Sequence, residues 1–410
     1  MTSKSPYPYL LHSVEADNVR SSYNPFDTLD FSLNFENRAL IAGSVRIEGN
    51  YRILESDGTT PLSGEDDKVC VDNRIGSHAF FHSMQTVLQG NNGAGIGNVE
   101  NIVEYPRMVS TIDNGRLSDN DLLSASMVCE NRSPDIKIQR ALAQDKCPAD
   151  KGGGATGTGK TQHLGSGYDA STNLTKLERV HPDFSIKPKI AINNVISQNA
   201  LLNYSTSGQV RISLNLERDL IVLQNNTPES ASKNYTYRLY NVRVTFASVP
   251  QIPKQLPIQM RSHLCLKSTI NSNMANVSSK VPAIVDSVFI SFLPQARESS
   301  RLFKNTELEK IPSLNKVLYS FNDSTNKYVS FELKKLKEIM YYGIKAVNKS
   351  NPSKNATSMA KLDASKSFMM GLDLGQPIDL SNQKFNVQIE SEASNVPFLM
   401  FSYYSSILSL

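Results

Sequence analysis

The sequence has no tryptophan, only four cysteines and almost no net charge. The missing tryptophan excludes no class of protein. The cysteines, Cys70, Cys129, Cys147 and Cys265, lie far apart and include no CxxC pair. Structural zinc sites and small disulfide frameworks need denser spacing, so they read as free thiols, and no pairing among them follows from the sequence. Against 39 acidic residues stand 43 basic ones, a net charge of +4. That is too little to argue for nucleic-acid binding over the whole surface. No stretch reaches the roughly 20 apolar residues that a membrane helix needs. The closing run VPFLMFSYYSSILSL is short and rich in serine and aromatics, which suits a last core strand. The opening MTSKSPYPYLLHSVEADN has no apolar run fit for a secretory signal, so the expectation is a soluble protein made in a cytosol.

What is present is period-two alternation. With 39% hydrophobic and 20% charged residues over 410 positions, the chain has the composition of two or three folded domains. In YRLYNVRVTFASVPQIPKQLP (237–257), Tyr240, Val242, Val244 and Phe246 are expected on one face and Asn241, Arg243 and Thr245 on the other. Pro250, Pro253 and Pro257 then end the strand, because proline donates no ladder hydrogen bond. This cut divides the chain into two halves.

In the first half, residues 1–26 are polar and read as an N-terminal arm. Phe31, Leu33 and Phe35 alternate. Val45, Ile47, Tyr51 and Ile53 share one face of a long strand, with Arg46, Glu48, Asn50 and Arg52 opposite. Residues 69–71 and 78–90 read as strands. Residues 99–112 carry helical spacing, broken or kinked at Pro106. Residues 113–188 are dominated by Ser, Gly, Asn, Asp and Lys, too long a stretch for an ordinary loop. They predict a surface insertion, with a helix near 117–128. Strands are expected again at 190–196, 210–216, 220–223 and 237–247. In the second half, strands are expected at 284–294, 317–321, 372–374, 378–380, 385–389 and the C-terminus. A helix is expected over Phe331–Ala346. Short strands with frequent turns and one small helix per half predict an all-β architecture of sandwiches or barrels.

Several patterns invite chemistry. Gly154, Gly159, Lys160 and Thr161 satisfy the phosphate-cradling GxxxxGK[ST] motif. The physics also needs a buried strand before the loop and a helix starting at the lysine. AQDKCPADKGG precedes it and QHLGSGYDAST follows, so neither is present. The short Ala283-Ile-Val-Asp286 is no convincing magnesium-binding strand, and the match reads as chance. His78 and His82 stand four apart, but HAFFH lacks the glutamate of HExxH and reads as strand, so no metal site is expected. Glu65, Asp66 and Asp67 lack the spaced oxygens of a calcium loop. Sequons at Asn173, Asn234 and Asn355 follow from composition. No nucleophile elbow occurs, and nothing argues for an enzyme, a cofactor or a metal.

Ordered segments carry a resemblance. Arg74–Gln89, a glycine turn and then Glu104-Tyr105-Pro106-Arg107 resemble a strand followed by a short helix in the double jelly-roll major capsid proteins of viruses. That lineage includes adenovirus hexon, tailless membrane-containing phages, virophages and giant-virus capsids. Tyr237–Val249 resembles the strand leaving the first barrel. Val288–Asn305 resembles a second-barrel strand and its loop, with the loop's usual proline missing. Asn386–Tyr404 resembles the paired final strands. The resemblance implies two consecutive eight-stranded jelly rolls, at 27–249 and 258–410, joined by a proline-rich linker at 250–257. It implies a structural capsid protein of the virion shell, assembled as pseudo-hexagonal homotrimers, with the 113–188 insertion as an outer tower. Its implied partners are neighbouring capsomers, minor capsid or penton proteins and an internal viral membrane. Two other classes are open: a viral spike, penton or carbohydrate-binding jelly-roll module, and a P-loop enzyme dependent on Lys160.

Overall fold

The computed structural model describes residues 9–60, 69–72, 75–90, 97–112, 168–169, 174–175, 183–196, 200–225, 234–281, 284–300, 305–322, 327–350, 368–381, 383–391 and 397–410. The chain divides into two compact units. The first takes in residues 1–100, 116–258 and 301–304, and the second 101–115, 259–300 and 305–410.

The strands of the first unit are β1 (Leu10–Glu15), β2 (Thr28–Leu33), β3 (Arg38–Ile41), β4 (Arg46–Glu55), β5 (Val69–Val71), β6 (Phe81–Leu88), β7 (Gly97–Ile102, running to the unit boundary), β8 (Tyr168–Asp169), β9 (Leu174–Thr175), β10 (Asp183–Ile186), β11 (Leu201–Asn203), β12 (Val210–Leu216), β13 (Leu223–Asn225) and β14 (Tyr235–Pro250). Eight of them make two sheets, ordered β1-β14-β4-β10 and β2-β12-β6-β7. The first strand thus pairs with the last, the last with the third and the third with the sixth. In the other sheet the second pairs with the seventh, the seventh with the fourth, and the fourth neighbours the fifth. This is the jelly-roll order. β3 and β11 extend the first sheet, while β5–β13 and β8–β9 are separate pairs.

The second unit has β15 (Gln259–Ile270), β16 (Met274–Lys280), β17 (Ile284–Pro294), β18 (Leu314–Asn322), β19 (Tyr328–Leu333), β20 (Met369–Asp379), β21 (Lys384–Ser391) and β22 (Phe398–Ser409). Their sheets, β15-β22-β17-β20 and β16-β21-β18-β19, repeat the same order strand for strand. The chain is an all-β double jelly roll.

Alternation fills each core. On β12, Val210, Ile212, Leu214 and Leu216 are buried while Arg211 and Asn215 face water. In the first unit the Phe80 ring packs against Tyr51, Phe184 and Tyr237, with centroids 5.4, 5.3 and 5.3 Å away. In the second, Phe385 meets Tyr319, Phe321 and Tyr404 at 6.2, 5.6 and 5.6 Å. Four of these contacts are tilted, one is stacked and one is edge-on, and such contacts add to the burial of the rings themselves.

Strand β14 departs from a single alternation. Tyr235, Tyr237 and Leu239 are buried, and then Val242, Val244 and Phe246. Tyr240, expected on the buried face, is not on it. The change of parity falls at Asn241, whose φ is +50°. There the ladder slips from Tyr240↔Asn50 to Arg243↔Glu48, with two residues of β14 opposite one of β4. This is a β-bulge, and asparagine tolerates the left-handed conformation better than most residues.

Other expectations shift as well. Residues 10–15, read as part of an arm, form β1, the first strand of the first jelly roll, because β14 offers them an unpaired edge. Residues 76–80 are a 3-10 turn before β6 rather than strand. Pro106 sits in the first turn of helix α1 (Tyr105–Ile112), where its missing N–H costs nothing, so it neither breaks nor kinks the helix. Residues 191–193 form a turn rather than strand, and Asp219–Val222 a single helical turn. The expected helix at Phe331 starts later, as α2 (Leu336–Ser350). Phe331 belongs to β19 and pairs with Tyr319. Helix α2 buries Ile339, Met340, Gly343, Ala346 and Val347, one stripe at helical spacing. Strand β20 runs unbroken from 369 to 379, taking in both stretches expected there. The expected helix near 117–128 lies outside the described residues.

Candidate functional site

The stretch just after β14, expected to begin a linker, is tied down. Asn203 Nδ2 donates to Ile252 O at 2.9 Å, and Ile252 N donates back to Asn203 Oδ1 at 3.1 Å. Gln255 Nε2 donates to Leu201 O at 3.0 Å. Side-chain amides therefore fix the chain where β14 ends, in place of ladder bonds that Pro250 and Pro253 cannot donate.

The P-loop-like residues Gly154, Gly159, Lys160 and Thr161 lie outside the described residues, as do Glu65, Asp66, Asp67, Cys129, Cys147, Asn173 and Asn355. His78 is buried in the 3-10 turn, while His82 is half-buried on β6. The chain changes from turn to strand between them, so they share no helical face. His82 Nδ1 lies 2.9 Å from Glu217 Oε2, and Arg218 N donates to the other oxygen of Glu217 at 2.9 Å. Cys70 is on β5, and Cys265 is a buried free thiol on β15 whose ionisation burial suppresses. Asn234 is exposed just before β14. Asp286 is buried in an ion pair with Arg261 on β15. A cavity of about 280 Å³ is lined by Glu15, Ala16, Tyr23, Asn241 and Val242, among others. Its cations, Arg20 and Arg243, are bound to Asp27 and Glu48.

The charged groups that burial singles out in the second unit are held in ion pairs. Arg107 of α1 is fully buried, ion-paired to Glu104, with its guanidinium carbon 4.7 Å from the centre of the Phe401 ring. Lys267 Nζ bridges Glu104 at 3.4 Å and Glu298 at 2.6 Å. Tyr403 Oη donates to Glu104 O at 3.1 Å. Removing one member of such a buried pair would leave the other charged and uncompensated, which is costly. Sequence reasoning passed over Arg261 and met Glu104 and Arg107 only as part of the resemblance, since hydrophobic periodicity carries no signal for a buried ion pair.

The strand order defines the class: two jelly rolls in one chain, the architecture of the viral double jelly-roll major capsid proteins. Among solved structures, the chain is similar over 100% of its length to the Faustovirus major capsid protein, with a TM-score of 0.55, 8% identity and 92% of that chain covered. It is similar to the Sputnik virophage structure with a TM-score of 0.53, 8% identity and 87% of that chain covered. It is similar to PBCV-1 VP54, fitted into a reconstruction of Sputnik, with a TM-score of 0.52, 8% identity and 96% of that chain covered. No protein-family model matches the chain, and no curated protein matches it.

Proposed function

We infer that the protein is a structural capsid subunit, a building block of an icosahedral virus shell that works by assembly and without turnover. The observation that carries this reading is the exact repetition of one jelly-roll order in two successive units. Two similar barrels per chain give a homotrimer six similar corners, a pseudo-hexagonal block able to tile a flat facet. Closed symmetric assembly is the common state of soluble oligomers, and a trimer closes through head-to-tail contacts between two different surfaces of each copy. The double layers leave few open sheet edges, which suits ordered rather than open-ended association. The partners proposed are copies of this chain, minor capsid or penton proteins, and a membrane beneath the shell. The proposed division is a first jelly roll ending near 249 and a second beginning near 258.

Negative-stain imaging of the purified protein tests this. Uniform particles with a hexagonal outline and threefold averages support the reading. Single small globules at micromolar concentration overturn it.

A further inference from the structure

Strand β1 is short and lies along one edge of β14, from Leu10↔Ser248 to Glu15↔Arg243. Its outer residues Leu11, Ser13 and Glu15 face water. Midway, His12 turns toward the sheet. Its ring stacks on Phe246, 4.6 Å between centroids and 8° from parallel. Its Nε2 lies 2.7 Å from Ser248 Oγ. The same hydroxyl oxygen accepts a bond from Arg38 Nε at 2.7 Å, and Arg38 Nη2 donates to Ser248 O at 3.1 Å.

The chemistry of this trio is asymmetric. A guanidinium only donates, so Arg38 occupies a lone pair of Ser248 Oγ and leaves the hydroxyl hydrogen for His12 Nε2. A neutral imidazole accepts it. A protonated imidazole has no lone pair to offer, and two cations then converge on one oxygen, their nitrogens at most about 5.4 Å apart, twice 2.7 Å. The other charged groups do not offset this. On β14 the nearest, Arg243, is bound to Glu48. On β2, Asp30 accepts from Ser213 Oγ. On β1 itself, Glu15 points to the opposite face.

We propose that His12 is a pH-sensitive clasp: neutral, it holds β1 on β14, and protonated, it releases the strand from that edge. Burial and then the Arg38 charge lower the His12 pKa, in keeping with this. The sign follows. A group whose docked pKa lies below its free value stabilises docking above the free value and loses that contribution as pH falls. Release therefore sets in below about pH 6.5, the ordinary histidine value. The clasp stands on the contacts among β1, β3 and β14 and does not rest on the proposed capsid role.

The test is thermolysin cleavage of the full chain within residues 10–15 between pH 7.5 and 5, followed by mass spectrometry. Each rate is divided by that of a free peptide of residues 9–16 at the same pH, and circular dichroism is recorded in parallel. The expected result is protection that falls severalfold on acidification, by no more than about tenfold per pH unit for one proton, with the sheet signal unchanged. The His12→Gln protein, which keeps a hydrogen-bonding side chain that does not titrate, shows flat protection, as does His12→Phe. Flat protection in the wild type, an equal fall in His12→Gln, or a fall that accompanies loss of the sheet signal each overturns the proposal.

Discussion

Arg261 Nη1 reaches both carboxylate oxygens of Asp286, at 2.8 and 2.9 Å, with both side chains withdrawn from water. The two residues lie on β15 and β17, the strands that flank β22, so the pair bridges over that strand. Ser405 of β22 completes it, accepting from the same nitrogen at 2.9 Å. This ties the first, third and last strands of the second jelly roll.

Removing one partner leaves the other buried and charged. Asp286→Ala is expected to destabilise the second unit by about 3–5 kcal/mol. The double replacement Arg261→Met with Asp286→Leu is expected to restore most of that loss. Urea unfolding of the single and double variants measures both. A single variant as stable as the wild type contradicts the pair's role.

The bulge at Asn241 makes a graded prediction. Asn241→Gly meets no steric cost at φ +50° and is expected to be neutral within about 1 kcal/mol, while Asn241→Val is expected to cost about 1–2 kcal/mol. Deleting Asn241 removes the change of parity. Either Tyr235, Tyr237 and Leu239 or Val242, Val244 and Phe246 must then face water, and the first unit should not fold. Thermal unfolding of the three variants gives the order; a stable deletion variant contradicts it.

Gly343 sits where α2 meets β20. A Cβ there would lie 2.9 Å from Met369 O and 2.9 Å from Met370 Cα, both backbone atoms that cannot swing away. Alanine raises helix propensity by about 1 kcal/mol, but the overlap opposes it, and Gly343→Ala is expected to destabilise by about 1–3 kcal/mol. A stabilised Gly343→Ala protein in chemical denaturation would show that α2 packs less closely.

His263 sets an acid limit. It is fully buried on β15, and burial, with the Arg261 charge, lowers its pKa from 6.5 to about 3. Between those values the unfolded chain binds one proton more than the folded one. Stability therefore rises with pH across that window and is lost on acidification, by up to about 1.4 kcal/mol per unit. Denaturation at pH 4, 5 and 7 measures the slope, and His263→Leu is expected to flatten it. An unchanged slope in the variant would assign the acid sensitivity elsewhere.

Strands with one wet face were legible in the sequence: β4, β12, β18 and β21 alternate as their burial does. The parity change in β14 was not, since a bulge is fixed by the partner strand and not by local pattern. Strand β15 gave no signal because Arg261, Ser262 and His263 are buried in succession. β16 gave none because most of its side chains face water or lie half-covered. β1 was hidden in a polar opening stretch, and with it the His12, Ser248 and Arg38 contact, which joins residues more than two hundred positions apart. The boundary between β19 and α2 was blurred because Phe331 and Leu333 fit the strand alternation and the helical stripe alike.

The central claim is assembly, and mass in solution tests it most directly. Light scattering on a sizing column should give three copies of the 45.4 kDa chain, about 136 kDa, unchanged on dilution. A single species of 45.4 kDa at high protein concentration would contradict the capsid account.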